Sequence, residues 1–322
     1  MKYRMIGSAG IEVSEVGFGA WAIGGESSLG DMVTGWGSTD DDVSLAAMDA
    51  AYEAGVTFFD TADVYGMGHS ETLIGGLFHD RRKNVIIASK GGNRVVDGEW
   101  TKDYSASYIQ SAIESSLARL KTDYLDIYFL HTPSTDEQFR ECLNTLEILE
   151  RMREQGILGC AGISVANEDQ GVAMIRSGLG QIIQVIHNIL SPGPERELFP
   201  LAEEHGVGIV ARVPLASGFL TGKFTRETRF PENDHRSWSY PPEKIARTVD
   251  IVERLSFLTD QGGQSMAQAA LRYILSMNAV TSVIPGAKNP RQAGENARTS
   301  DFGPLSSSEL ERIRSIVSAY ER

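Results

Sequence analysis

Short apolar runs punctuate the chain at Val16–Phe18, Val56–Phe59, Val85–Ala88, Tyr124–Leu130, Ile157–Ile163, Ile182–Ile186, Val207–Val213 and Val280–Ile284. Most are continuously apolar rather than alternating, which is how a strand buried on both faces reads. Helical spacing fills the gaps. Val43, Ala46, Ala47, Ala50 and Ala54 recur at i, i+3, i+4 behind the cap candidates Thr39 and Asp40. Ile109, Ile113, Leu117 and Leu120 repeat the pattern, as do Phe139, Leu143, Leu146, Leu149 and Met152. Gly55 and Gly156 stop two of these helices just ahead of a strand. Alternating strands and helices require a parallel sheet with helical crossovers, and this many units fit a closed (β/α)8 TIM barrel better than an open doubly wound sheet.

The remaining segments are read as additions to that barrel. Lys2–Val13 reads as a β-hairpin turning at Ser8–Gly10 and capping the barrel's N-terminal end. Past Val213 comes an Arg- and aromatic-rich loop, Phe219–Pro242, then helical patterns at Glu243–Leu258 and Ser265–Ser276. Ser306–Tyr320 reads as a serine-capped final helix. No linker or low-complexity tract divides the chain. Its 322 residues are therefore expected to form a single barrel domain, residues 1–322, with extra C-terminal helices, although length alone would favour two domains.

Composition narrows the function classes. A net charge of −13 disfavours nucleic acid as a partner, because phosphate binding needs a basic face. No apolar run approaches the roughly 20 residues of a membrane span, and MKYRMIGSAG has no signal-peptide core. Cys142 and Cys160 make no disulfide framework and read as buried packing, so the expected location is cytoplasmic. The histidines are scattered without metal-ligand spacing, so no metal is expected. Gly17-Phe18-Gly19-Ala20-Trp21-Ala22 matches a loose dinucleotide fingerprint, but Ile23-Gly24-Gly25 follows where a helix would have to open.

Working residues of a parallel barrel sit at the C-terminal ends of its strands. Asp60 and Tyr65 end or follow the second run, Lys90 the third and His131 the fourth. Each has an ordinary structural reading alone. Together they compose a proton donor for a carbonyl that receives a hydride. A carboxylate holds a buried ammonium, the ammonium lowers the pKa of a tyrosine, and a histidine hydrogen-bonds the same oxygen.

These residues lie in segments that resemble the aldo-keto reductase superfamily over nearly the whole chain. The segments are GFGAWAIGG, FFDTADVYG with GHSETLIG, ASK, SLARLKTDYLDIYFLH, GIS, PLASGFLTGK and IPGAKNPRQAGEN. The resemblance implies an NADP(H)-dependent reductase of small carbonyl compounds with Tyr65 as general acid and Asp60, Lys90 and His131 completing a catalytic tetrad. The retained His131 argues for an active reductase, since the related potassium-channel β-subunits typically carry Asn there. The alternative is an NADP(H)-binding regulatory or redox-sensing subunit with slow turnover.

The same resemblance implies the cofactor positions. Gly19, Ala20, Trp21 and Asp60 would lie by the nicotinamide ribose. Ser164 and Gln184 would hold the carboxamide, while Val165 stands where Asn is usual and Asn167 is the candidate substitute. Arg212 stands where related sequences often stack an aromatic residue on the nicotinamide. Pro214, Leu215, Ser217, Gly218, Leu220 and Lys223 would meet the pyrophosphate, and Gly286, Lys288, Gln292, Glu295 and Asn296 the adenosine. Lys288 and Arg291 are the natural partners of a 2′-phosphate. Trp21, Trp36, Tyr65, Trp100 and His131 would line the substrate mouth, with Arg236 and Trp238 candidates from the long loop. A homo-oligomer is compatible with the sequence.

Overall fold

In the computed structural model, residues 1–25, 28–29, 32–33, 35, 37–260 and 263–319 are described; Trp36 lies outside them. Eight parallel strands pair in sequence order. They are β1 (Phe18–Gly19), β2 (Phe58–Asp60), β3 (Ile86–Gly91), β4 (Leu125–His131), β5 (Leu158–Ser164), β6 (Ile182–Ile186), β7 (Gly208–Arg212) and β8 (Val280–Val283). Parallel bridges from Val16 to Val283 and from Gly19 to Gly286 join the last strand to the first and close the barrel. A Cβ on Gly19 would lie 2.7 Å from the Ile284 carbonyl oxygen, so this seam needs glycine.

Several strands run past their apolar runs. β2 ends on Asp60, β3 takes in Ser89 and Lys90, β4 ends on His131 and β5 on Ser164. Ladder hydrogen bonds use backbone groups and are indifferent to the polarity of the side chain.

Helices cover the outside as the periodicity requires: α1 (Asp41–Glu53), α2 (His69–Phe78), α3 (Ala106–Leu120), α4 (Asp136–Glu154), α5 (Glu168–Ser177) and α6 (Leu198–His205). After β7 come α7 (Pro242–Arg254) and α8 (Met266–Leu275), and after β8 come α9 (Pro290–Ala297) and α10 (Ser307–Ser318). Their starts follow capping chemistry. Asp40 accepts from the Val43 N–H, and Ser265 and Ser306 each form a full capping box. Gly55 and Gly156 adopt left-handed φ at the expected stops.

Tyr3–Met5 pairs antiparallel with Glu12–Ser14 as the N-terminal hairpin. Its Ile6 and Val13 join the cluster inside the barrel, with Phe58, Ala88, Ile127, Phe129, Cys160, Ile182, Val210 and Ile284. The hairpin thus plugs the floor of the barrel. Arg4 fastens it by donating to Glu15 and to the carbonyls of Leu275 and Val280. Cys142 and Cys160 are both buried, as the sequence implied. A second hairpin follows β3, Asn93–Val96 against Glu99–Lys102, and lies outside the expected elements. Among the described residues no helix is long and apolar enough to cross a membrane.

Candidate active site

Side chains alternate in direction along a strand, so residues two apart share a face. The inward apolar residues of the barrel therefore announce what stands above them. Phe58 is followed inward by Asp60, Ala88 by Lys90, Phe129 by His131, Ile182 by Gln184 and Val210 by Arg212. On β5, Cys160 is followed by Gly162 and then Ser164. The barrel interior thus changes from a dry floor to a polar layer in one step along the strands, at the C-terminal end where barrel chemistry sits.

Within that layer Lys90 is fully buried. Its Nζ donates to Asp60 Oδ1 (2.6 Å), to the Thr61 carbonyl oxygen (2.7 Å) and to Tyr65 Oη (3.3 Å). The second Asp60 oxygen accepts from Gln184 Nε2 (2.7 Å), and Gln184 Oε1 accepts from Ser164 Oγ (3.1 Å). The hydrogen-bonded chain Ser164–Gln184–Asp60–Lys90–Tyr65 therefore crosses the barrel. The Tyr65 ring stacks against Trp21 at 6.3 Å and meets the His131 ring edge-on at 5.9 Å. All four residues of the expected tetrad are together.

The charge states follow from burial and neighbours. Burial works against the Lys90 cation, but Asp60 and Tyr65 more than compensate, so its pKa lies above the ordinary lysine value. Burial, with the charges of Lys90, Arg212 and Lys102, pushes His131 far below its ordinary value, which leaves a neutral imidazole. Tyr65 departs from the sequence expectation. Burial outweighs the pull of Lys90, and Asp60 opposes that pull, so the phenol lies above rather than below its ordinary value. Lys90 exerts the strongest pull toward the phenolate, but the cost of an anion in this buried layer exceeds it.

Arg212 lies across the layer from Lys90. Its Nη2 donates to the Val165 carbonyl oxygen (3.1 Å), and its Nε is buried without a hydrogen bond. Asn167, the candidate substitute for the missing Asn, caps α5, its Oδ1 accepting from the Gln170 N–H (3.0 Å).

The segment after β7 is unusual in its backbone. Val213, Ala216 and Ser217 all have φ between 46 and 56°, and Gly218 follows at 90°. Left-handed backbone is costly for a β-branched residue, and such strain tends to be held at functional sites. Asn188 Nδ2 holds Val213 by donating to its carbonyl (3.0 Å), and Arg236 Nη1 holds Ser217 in the same way (3.1 Å). Arg236 is itself gripped by both oxygens of Asp234. Pro214, Leu215 and Leu220 complete this turn, and Lys223 follows it.

At the far end Gln292 Oε1 accepts from the Lys288 N–H (2.9 Å), and Asn296 Nδ2 donates to the Gly286 carbonyl (3.4 Å). Gln268 Nε2 donates to the Glu295 carbonyl (2.9 Å). Lys223 and Arg236 both depress the pKa of Lys288 by repulsion, secondary to its burial, while Asp234 pulls the other way. Gathered cations held against one carboxylate, beside a strained turn, suit a phosphate-bearing ligand such as a dinucleotide.

Trp100 stands on the second hairpin, 38% exposed, and Trp238 is 59% exposed on the long loop. Sequence reasoning does not single out His235, whose ring lies 5.1 Å from Trp21, or Lys102, which donates to the Thr132 carbonyl and to Ser134 Oγ. Neither position carries a pattern of its own. It also misses a buried cluster behind β3, in which Glu71 accepts from Ser89 Oγ (2.5 Å) and from Arg119 Nε (2.6 Å) beside Asp63.

The chain resembles known proteins over nearly its full length. The family model described as "Aldo/keto reductase family" fits residues 15–318. The "Uncharacterized oxidoreductase YqkF" of Bacillus subtilis is 31% identical over 98% of this chain and 96% of its own. The "NADH-specific methylglyoxal reductase" of Escherichia coli is 28% identical over the whole of both chains. Among solved structures, the holo form of aldo-keto reductase AKR11C1 from Bacillus halodurans superposes with a TM-score of 0.79 at 31% identity, covering 98% of this chain and 96% of that one. A barrel closed on this polar layer, matched over nearly its full length, places the chain in the aldo/keto reductase family of oxidoreductases.

Proposed function

We propose that the protein reduces an aldehyde or ketone to the alcohol, with NADPH as hydride donor and Tyr65 as general acid. The carrying observation is the buried chain from Gln184 through Asp60 and Lys90 to Tyr65 Oη. When bound, the reduced nicotinamide supplies the hydride. Tyr65 keeps its proton at neutral pH because burial opposes the phenolate, so the phenol is loaded as a donor. Lys90 stays charged and points an N–H at Tyr65 Oη. That charge stabilises the phenolate left once an alkoxide has taken the proton. Neutral His131, beside Tyr65, positions the substrate oxygen without adding charge. Tyr65 is half-buried, stacked on Trp21 and reached by the fully buried Lys90, so its ring is partly screened from bulk water.

The remaining cofactor contacts follow the family resemblance. Gly19, Ala20 and Trp21 flank the ring end, and Ser164 and Gln184 hold the carboxamide. The turn from Pro214 to Leu220 with Lys223 takes the pyrophosphate, while Lys288 and Arg291 take the 2′-phosphate. The whole chain acts as one barrel domain. The name of the Escherichia coli relative makes methylglyoxal a first substrate to assay and NADH the competing cofactor.

Initial rates with methylglyoxal and 4-nitrobenzaldehyde, each with NADPH and NADH, test the reading. Tyr65→Phe is expected to lower kcat by about a thousandfold, within the usual range for a lost general acid, with an unchanged melting temperature. Wild-type turnover in that variant would remove Tyr65 from the chemistry. A preference for NADH would overturn the cofactor assignment.

A further inference from the structure

Two cations face the reaction centre, Lys90 and Arg212, and one carboxylate, Asp60. Asp60 is engaged by Lys90 at 2.6 Å. Arg212 has no such partner among the described residues. One of its N–H groups reaches the Val165 carbonyl, its Nε is buried and unbonded, and its charge acts on Asp60 and Tyr65. His131 is neutral and removes none of the surplus. The polar layer therefore carries one fixed positive charge too many, in a protein whose net charge is −13.

Any hydride donor that works here must meet this surplus. The donor has to come within roughly 3–3.5 Å of the carbonyl carbon whose oxygen Tyr65 protonates. Its reactive ring therefore lies in the same layer as Tyr65, within the field that Arg212 exerts on that residue. In the reaction the carbonyl carbon gains the hydride and its oxygen gains the Tyr65 proton. The nicotinamide ring changes from neutral to singly positive. A fixed guanidinium is indifferent to the first state and repels the second.

Resting on the proposed reductase reading, we propose that Arg212 sets the site's preference for the redox state of its cofactor. It leaves the reduced form bound and speeds departure of the oxidised form. An anionic substrate is the other ligand a surplus cation would suit, and the test separates the two. Val165 favours the cofactor role, because its carbonyl holds the guanidinium against the strand end next to Ser164 and Gln184 rather than leaving it free to follow a substrate.

Dissociation constants of NADPH and NADP⁺ are measured by fluorescence titration for wild type, Arg212→Gln and Arg212→Lys. Unit charges a few ångströms apart at a protein–water boundary shift affinity by one to two decades. The ratio Kd(NADP⁺)/Kd(NADPH) is therefore expected to fall about tenfold to a hundredfold in Arg212→Gln and to stay near wild type in Arg212→Lys. Binding of both forms with an unchanged ratio in Arg212→Gln overturns this role and leaves the reductase reading standing. The role is equally overturned if the ratio is unchanged while kcat/KM falls selectively for glyoxylate against a neutral aldehyde, since Arg212 then serves an anionic substrate. Failure of wild type to bind either form overturns both readings.

Discussion

Replacing Lys90 by Met keeps a long apolar stem in the core but removes an ammonium that makes three hydrogen bonds at zero exposure. Asp60 then keeps its hydrogen bond from Gln184 but has lost its countercharge. An unpaired buried carboxylate avoids ionisation by taking up a proton, and the cost of doing so follows from the pH. At pH 7 the gap from the ordinary aspartate value of 3.8 is about three units, or about 4 kcal/mol at 1.36 kcal/mol per unit. This agrees with the roughly 3–5 kcal/mol typical of breaking a buried ion pair from one side. At pH 5 the gap shrinks to about one unit, so the loss should fall to about 2 kcal/mol. The direction follows from linkage: a folded-state pKa raised above the unfolded one confers stability in acid that is lost as pH rises. Asp60→Asn combined with Lys90→Met removes both charges and should recover most of the loss. Urea unfolding at pH 5 and pH 7 measures both variants against wild type. A loss under about 1 kcal/mol in Lys90→Met at pH 7, or equal losses at both pH values, would contradict the picture of a carboxylate stranded in a dry core.

Two further outcomes are expected. Lys288→Met should weaken NADPH at least about tenfold more than NADH, measured by titration; equal losses would remove Lys288 from the 2′-phosphate site. Asp63, whose pKa is pushed up to about 8 by burial and by Glu71, binds a proton when folded that it gives up when unfolded above its ordinary value. Its contribution to stability should therefore decline as pH rises from about 4 to 8, and Asp63→Asn should flatten that decline in pH-dependent unfolding. An unchanged slope would show that Asp63 is ionised in the folded protein.

Much of this arrangement is legible in the sequence because a barrel strand writes its two faces in period two. The apolar runs locate the ladder, and Asp60, Lys90 and His131 stand where an inward apolar position turns polar. What the runs do not show is where pairing stops, since Ser164 stays in the ladder past its run on backbone terms alone. The second hairpin carries a signal that a search for apolar runs passes over. Asp97 and Gly98 both take left-handed φ, as the turn between two such strands requires, and Asp-Gly between valines and a tryptophan is its signature. The departure at Tyr65 is of another kind. Whether Lys90 depresses or merely orients a phenol depends on how deeply both are buried and on what else Lys90 binds, and no linear pattern carries that. The Asp63–Glu71–Arg119 cluster is also a product of the third dimension, joining the β2–α2 turn to α3.

The seam between β1 and β8 bears on how the chain comes to be folded on a ribosome. Val16 leaves the exit tunnel early and Val283 late, yet each is the other's neighbour. Until β8 is made, β1 and β7 present open edges, and the floor residues Ile6 and Val13 wait for Ile284 to complete their surroundings. Contacts so distant in sequence form slowly, and unpaired parallel edges invite association. For this protein the vulnerable interval is the synthesis of its last strand, and a chain truncated before β8 would be a candidate for chaperones rather than a smaller enzyme.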